Sequence, residues 1–209
     1  MPTGTDESSV RIRNHAGKVM SKGTALALHE ILHLANWKLH VSGSIIVTGS
    51  NTEAEVADNQ VLIGGPLSNV HTLSMLEILG STCDLPVSII TQDNHCKLVI
   101  NNSLRLEPKL DGQNGTDHAL IVHAEYCSTP KKYVVLLAGC FMHGTWAAAR
   151  AATDPRFIQS LSKKLGKSRS NFALVLKVRV INNIPIDFEV DFDGFQHVYL
   201  YNKSAHECS

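Results

Sequence analysis

The stretch KKYVVLLAGCFMHGTWAAAR, residues 131–150, contains the strongest signal for the fold. Its first part, Lys131 to Leu137, is a nearly continuous apolar run that is typical of a buried strand. The run ends in the glycine turn AGCFMHG, and the segment TWAAARAAT then predicts a helix that ends or is interrupted at Asp154-Pro155. Strand, glycine turn and helix together predict half of a βαβ unit.

The same order of elements occurs earlier in the chain, at residues 60–80. The short apolar run Gln60 to Ile63 leads into Gly64-Gly65-Pro66, and the helical pattern LSNVHTLSMLEILG follows. Periodicity predicts further helices and strands on either side of these two units. The helices are predicted at residues 21–39 and 155–165, and the strands at 10–13, 44–48, 85–91, 97–100 and 119–126.

The last quarter of the chain has a different pattern, because NFALVLKVRVINNIPIDFEVDFDGFQHVYLYN alternates with a period of two. We therefore expect an antiparallel meander over about residues 171–201, with turns at Asn182-Asn183 and Asp193-Gly194. The whole pattern predicts a Rossmann-like three-layer α/β fold with a mostly parallel sheet and an antiparallel C-terminal extension. Residues 1–9 are predicted to be a disordered polar tail, and residues 10–209 a single α/β domain.

Composition excludes several classes of function. The 209 residues are 44% hydrophobic and 18% charged, and 19 basic side chains balance 19 acidic ones. Because no segment gathers enough lysine or arginine to follow a phosphate backbone, a nucleic-acid-binding role lacks its electrostatic basis. The sequence contains no apolar run long enough to cross a membrane and no signal peptide at its start, so we expect a soluble, cytoplasmic protein. Five cysteines without a C-x-x-C pair predict free thiols and no disulfide.

One motif suggests a metal. His29-Glu30-Ile31-Leu32-His33 matches H-E-x-x-H, in which two histidines on one helix face hold Zn²⁺ and the glutamate activates water. However, Leu39 stands where the extended motif needs a third histidine, and His40 is one residue late. We therefore interpret His29, Glu30 and His33 mainly as a solvent-facing helix surface, with a zinc-dependent hydrolase as an alternative.

The two glycine turns are the better candidates for a ligand site. In open α/β sheets, ligands bind at the carboxyl ends of the strands, where glycines let a ligand approach the backbone and helix N–H groups face an anion. His143 is the candidate acid, base or phosphate contact, and Cys140 is a weaker candidate nucleophile because it lies near a helix start. The predicted ligand contacts are Gly64, Gly65, Pro66, Ser68, Asn69, Thr72, Gly139, His143, Gly144 and Thr145.

These observations leave three hypotheses for function. The first is a domain that binds a nucleotide or another anionic small molecule between the two glycine turns, as a sensor or as a hydrolase or transferase acting on it. The second is the zinc-dependent hydrolase. The third is a non-catalytic interaction or assembly module that forms a homo-oligomer through its C-terminal strands. The sequence identifies no cofactor.

Overall fold

The structure is a computed structural model that describes residues 11–13, 22–38, 44–46, 59–92, 95–128, 131–166, 171–190 and 198–200. The described helices are α1 (Lys22–Lys38), α2 (Val70–Thr82), α3 (Met142–Thr153) and α4 (Pro155–Leu165). The described strands are β1 (Arg11–Arg13), β2 (Ser44–Ile46), β3 (Gln60–Ile63), β4 (Val87–Gln92), β5 (His95–Ile100), β6 (Leu104–Leu106), β7 (Lys109–Asp111), β8 (Asn114–Ser128), β9 (Lys131–Gly139), β10 (Phe172–Ile181), β11 (Ile184–Val190) and β12 (Val198–Leu200).

A seven-stranded sheet forms the centre of the fold. Its strand order is β11-β10-β8-β9-β3, with β12 also beside β10 and β7 beside β8. Within this sheet, β3 and β9 are the only parallel pair among the described strands. Strands β4, β5 and β6 form a separate antiparallel sheet, and β1 pairs with β2 in parallel.

The central sheet is covered on both faces. Ile121, Leu137 and Leu174 belong to one hydrophobic cluster, which also includes buried side chains of α1, α3 and α4. Leu120 and Leu136 point the other way, into a second cluster with α2 and the small sheet. Because side chains alternate between the two faces of a strand, both faces of β8, β9 and β10 become core.

The predicted Rossmann-like fold with a mostly parallel sheet is wrong. β8 and β9 pair antiparallel with Ser128 opposite Lys131, and β10 pairs antiparallel with β8. The apolar run in β9 reflects burial on both faces, which gives an antiparallel strand the same composition as a parallel one. Three layers are present, but only the β3–β9 pair has the arrangement expected of a βαβ unit.

Most element positions were predicted more accurately than their pairing. The structure confirms the strand at residues 60–63 and the helix at residues 155–165. Strand β8 begins at Asn114, five residues before the predicted start, because the tight turn at Gly112 and Gln113, with Gly112 at φ +57°, brings the chain back beside β7. The predicted tail at residues 1–9 lies outside the described residues. Among the described helices, none is long and apolar enough to cross a membrane.

Candidate functional site

The two glycine turns predicted to form a ligand site are neighbours, since β3 and β9 are adjacent and parallel. The Gly64 N–H donates a hydrogen bond of 3.0 Å to the Leu137 carbonyl oxygen. Gly65 lies so close to β9 that a Cβ on it would collide with the Gly139 carbonyl oxygen. A side chain at Gly65 would therefore separate the two turns, which are in direct backbone contact here.

Gly139 and Gly144 extend this close packing into α3. A Cβ on Gly139 would collide with the backbone nitrogen of Thr145, and a Cβ on Gly144 would collide with the carbonyl oxygen of His118. Strands β8 and β9 and helix α3 thus meet at backbone distance. In the structure, both glycines have a packing role that explains their presence without a ligand.

A carboxylate from β8 caps the start of α3. Asp117 is fully buried, and its Oδ2 accepts a hydrogen bond of 2.6 Å from the Gly144 N–H. Its Oδ1 accepts bonds of 3.3 Å from the Phe141 N–H and 2.8 Å from the His118 N–H. A negative charge at a helix N-terminus is favoured by the helix dipole, and the first N–H groups of a helix need acceptors. Asp117 therefore occupies the place where the sequence predicted an external anion.

The buried position of Asp117 also affects titration. Burial raises the pKa of Asp117 from its ordinary 3.8 to about 6, and the N–H groups of Gly144, His118 and Phe141 limit this rise. Burial, with Asp117 as a nearby negative charge, also raises the pKa of the Cys140 thiol. Cys140 is consequently a neutral thiol at pH 7, which does not suit the predicted nucleophile because the thiolate is the reactive form.

The start of α2 is also capped from within the chain. Asn69 is buried; its Oδ1 accepts a bond of 3.0 Å from the His71 N–H, and its Nδ2 donates one of 3.1 Å to the Ile63 carbonyl oxygen. Ser68 Oγ donates to the Gly65 carbonyl oxygen at 3.0 Å. Asn69 and Ser68 therefore stabilise the turn between β3 and α2. The Ser68 hydroxyl and the Asn69 amide both form these internal hydrogen bonds and are not directed towards a ligand.

The remaining predicted contacts lie around these turns. Pro66 is partly buried within the first turn, and Thr145, 3% exposed, donates its N–H to the Phe141 carbonyl oxygen at 3.2 Å. Thr72 is fully buried in α2, and its hydroxyl has no hydrogen-bond partner among the described residues.

His143 is the predicted site residue whose environment stands out. It is the second residue of α3 and is 5% exposed. Neither Nδ1 nor Nε2 makes a hydrogen bond of 3.5 Å or less to a described residue, although the Asn183 side chain lies close enough to affect the pKa as a hydrogen-bonding group. An unsatisfied buried polar group costs about 1–3 kcal/mol, so buried polar atoms normally have partners. The imidazole is therefore a position where a bound molecule can supply missing hydrogen bonds.

Two elements lie beside His143, helix α1 and the turn between β10 and β11. A Cβ on Gly23 of α1 would collide with the Met142 backbone, so α1 begins directly against the start of α3. On another side lies the turn between β10 and β11, where Asn183 has φ +60° and donates its N–H to the Gln113 carbonyl oxygen at 2.8 Å. Burial lowers the pKa of His143, the Asn183 side chain opposes this, and the positive charge of Lys22 adds to the lowering.

These surroundings define what His143 can do. With a lowered pKa, the imidazole is neutral at pH 7 and offers one N–H donor and one acceptor nitrogen. The Lys22 ammonium supplies a positive charge from α1, and Asp117, the carboxylate nearby on β8, has its oxygens turned to backbone N–H groups. The arrangement suits a ligand with a negative charge and hydrogen-bonding oxygens.

The H-E-x-x-H motif lies elsewhere, on α1. His29 and His33 are exposed, with ring centroids 6.3 Å apart and planes 13° from parallel. Glu30 Oε1 accepts a hydrogen bond of 3.3 Å from Trp146 Nε1, which links α1 to α3. Within the described ranges, no group of three histidine, cysteine or acidic side chains is arranged to hold a metal ion. His40 lies outside the described residues, so the zinc alternative gains no further ligand here.

Sequence reasoning missed three residues of this region: Asp117, Lys22 and Asn183. Asp117 precedes the apolar run HALIV and looks like an ordinary polar residue at a strand start. The Asn182-Asn183 turn was predicted, but its position opposite α3 depends on the antiparallel pairing of β10 with β8. Comparison of the chain with protein-family models, curated proteins and solved structures found no match.

Proposed function

We propose that this domain binds a small anionic ligand at a site centred on His143. The observation on which the proposal rests is the His143 imidazole, which is 5% exposed and has no hydrogen bond of 3.5 Å or less to a described residue, with the Asn183 side chain as its one polar neighbour in the pKa balance. The earlier expectation of a nucleotide at a parallel-sheet edge depended on a Rossmann-like fold. We do not retain it, since the sheet is mostly antiparallel.

The proposed ligand is anionic because of what surrounds the imidazole. Burial lowers the pKa of His143 most, and the positive charge of Lys22 adds to this lowering. A phosphate or carboxylate oxygen would accept the imidazole N–H and interact favourably with the ammonium, and it would favour the protonated imidazole as well. The oxygens of a small anion would therefore supply hydrogen bonds to the buried His143 imidazole.

We also propose that the protein works in a reducing compartment. Cys83, Cys96 and Cys140 are buried free thiols among the described residues. Burial raises the pKa of Cys96 to about 11, so this thiol is protonated and unreactive at neutral pH. Thiols of this kind are typical of proteins that work inside the cell, where disulfides are rare.

A melting experiment with simple anions tests the proposal. Inorganic phosphate, sulfate, acetate and malonate would be added separately to the wild-type protein, at constant ionic strength. An anion present at ten times its Kd should stabilise the fold by about 1.4 kcal/mol, which corresponds to a rise in Tm of roughly 3–5 °C. His143→Ala should lose most of this rise.

The matched control is His29→Ala, which removes an exposed histidine of α1 and should retain the full effect. Phosphate and malonate separate the two sources of negative oxygen, a phosphoryl group and a carboxylate. If no anion raises the wild-type Tm, or if His143→Ala responds like the wild type, the proposed site is wrong.

A further inference from the structure

A second surface, independent of His143, is the open edge of β4. This strand pairs with β5 on one side and ends the three-stranded sheet in the described part of the structure. A strand edge exposes unpaired N–H and C=O groups, and proteins usually protect such edges with proline, charge or a very short strand. β4 is six residues long, VSIITQ, and contains neither proline nor a charged residue.

The other terminal strands of these two sheets are either protected or shorter than β4. β11, the terminal strand of the central sheet, contains Pro185, Asp187 and Glu189. β6, at the opposite end of the small sheet, has only three residues, and Arg105 is the middle one. β3, at the other end of the central sheet, also lacks proline and charge but has only four residues. The edge of β4 is therefore the longest unprotected edge among these described strands, and Ile90 on it is 43% exposed.

A groove of about 780 Å³ runs along this edge, between β4 and α2. Residues 84–91 all line it, so the groove follows β4 for all but its last residue. Gly80 of α2 also lines the groove, and a Cβ on Gly80 would meet nothing within 4 Å. The missing side chain leaves space where an additional strand would lie, about 4.8 Å from β4.

The charge of the groove has one sign. Glu77 on α2 and Asp84 after it are acidic, and no lysine or arginine is among the described residues that line the groove. Both carboxylates are exposed. Leu73 adds an apolar contact on the helix side. A ligand that fits must combine an extended backbone, apolar side chains towards α2 and positive charge near Glu77 and Asp84.

We propose that β4 docks an extended peptide with basic side chains, which adds to the small sheet as a further antiparallel or parallel strand. Main-chain hydrogen bonds to the edge of β4 supply affinity, and the pattern of alternating side chains supplies specificity. Glu77 and Asp84 select lysine or arginine on the peptide, while Leu73 contacts apolar residues between them. The six residues of β4 match a peptide segment about 20 Å long.

The test uses a synthetic heptapeptide of alternating lysine and valine, acetylated and amidated at its ends, titrated into the full chain by calorimetry at low salt. Its counterpart with glutamate in place of lysine controls for charge, and a version N-methylated at alternate residues controls for backbone pairing. We expect the lysine peptide to bind at least tenfold more tightly than either control. Equal affinities for the lysine and glutamate peptides, or no binding of the lysine peptide at 1 mM, would overturn the proposal.

Two sets of variants locate the site. Glu77→Gln with Asp84→Asn should weaken binding of the lysine peptide about fivefold, since exposed ion pairs contribute modestly. Glu107→Gln with Asp111→Asn removes two exposed acids outside the groove and should leave affinity unchanged. Gly80→Leu fills the groove from an exposed helix position and should reduce affinity more than tenfold, while Gly80→Ala should retain it. Unchanged binding by Gly80→Leu would place the peptide elsewhere and contradict the proposal.

Discussion

Replacing Gly144 with alanine should lower the free energy of unfolding by roughly 2–4 kcal/mol, because overpacking against fixed backbone cannot relax cheaply. The added Cβ would collide with the His118 carbonyl oxygen, which itself accepts the Cys140 N–H at 3.0 Å. Moving α3 away to make room would also break the bond between Asp117 and the Gly144 N–H. Chemical denaturation with a cooperative transition measures the loss directly.

Gly80→Ala is the matched control for Gly144→Ala. Gly80 lies in α2 and is exposed, with open space where its Cβ would be. Alanine is favoured over glycine inside a helix by up to about 1 kcal/mol, so this variant should be as stable as the wild type or slightly more stable. Equal behaviour of the two alanine variants would show that Gly144 is not held against β8.

Removing the Asp117 carboxylate is the second change with a large expected effect. Asp117→Ala leaves the N–H groups of Gly144, Phe141 and His118 without this acceptor. Each unsatisfied buried group costs about 1–3 kcal/mol, whereas removal of the buried charge relieves about 3 kcal/mol at pH 7. We therefore expect a net loss of stability of roughly 2–4 kcal/mol at pH 7, measured by denaturant unfolding.

The pH dependence of this loss has a definite sign. Because the pKa of Asp117 is raised to about 6 from 3.8, the folded protein binds the proton more tightly than the unfolded chain. The contribution of Asp117 to stability is therefore full below pH 3.8 and falls by about 3 kcal/mol as the pH rises to 6. The stability difference between wild type and Asp117→Ala should accordingly increase as the pH is lowered from 7 to 4.

Asp117→Asn provides the control for titration, since asparagine keeps the shape and cannot ionise. Its difference from the wild type should follow the same trend with pH, because the trend comes from the wild-type carboxyl. A difference that shrinks as the pH falls would mean that the folded pKa of Asp117 lies below 3.8. In that case the N–H groups and the helix dipole would outweigh burial.

The fold was predictable where the signal is local. Apolar periodicity placed β3 and α4 correctly, because the face that a residue presents depends on neighbours a few positions away. The direction in which two strands pair, in contrast, depends on how the chain connects them. The run KKYVVLLAG has a strand on each side and core on both faces. An apolar composition of this kind results from burial, and it is the same for antiparallel pairing through a hairpin and for parallel pairing through a crossover helix. The composition therefore cannot distinguish the two directions of pairing.

In the candidate site, too, the local features were predictable from the sequence and the tertiary contacts were not. The sequence predicted the glycine turns and selected His143, because glycine and histidine indicate close approach and hydrogen bonding wherever they occur. It could not show that Asp117, on another strand, occupies the start of α3, since this cap leaves no fixed spacing in the sequence. Lys22 and Asn183 come from opposite ends of the chain, so their proximity to His143 also depends on tertiary structure.

The central claim, an anion site at His143, is tested most directly by an NMR titration of its imidazole. The groups to be considered around it are Lys22 from α1, Asn183 from the β10–β11 turn and Asp117 from β8. The resonance would be assigned by its loss in His143→Asn and followed from pH 4.5 to 8.5 with and without inorganic phosphate. We predict a pKa below the ordinary 6.5 in phosphate-free buffer, and a higher pKa in phosphate because the anion binds the imidazolium more tightly. A His143 pKa that phosphate leaves unchanged, with no shift of its ring resonances at any pH, would contradict the proposed site.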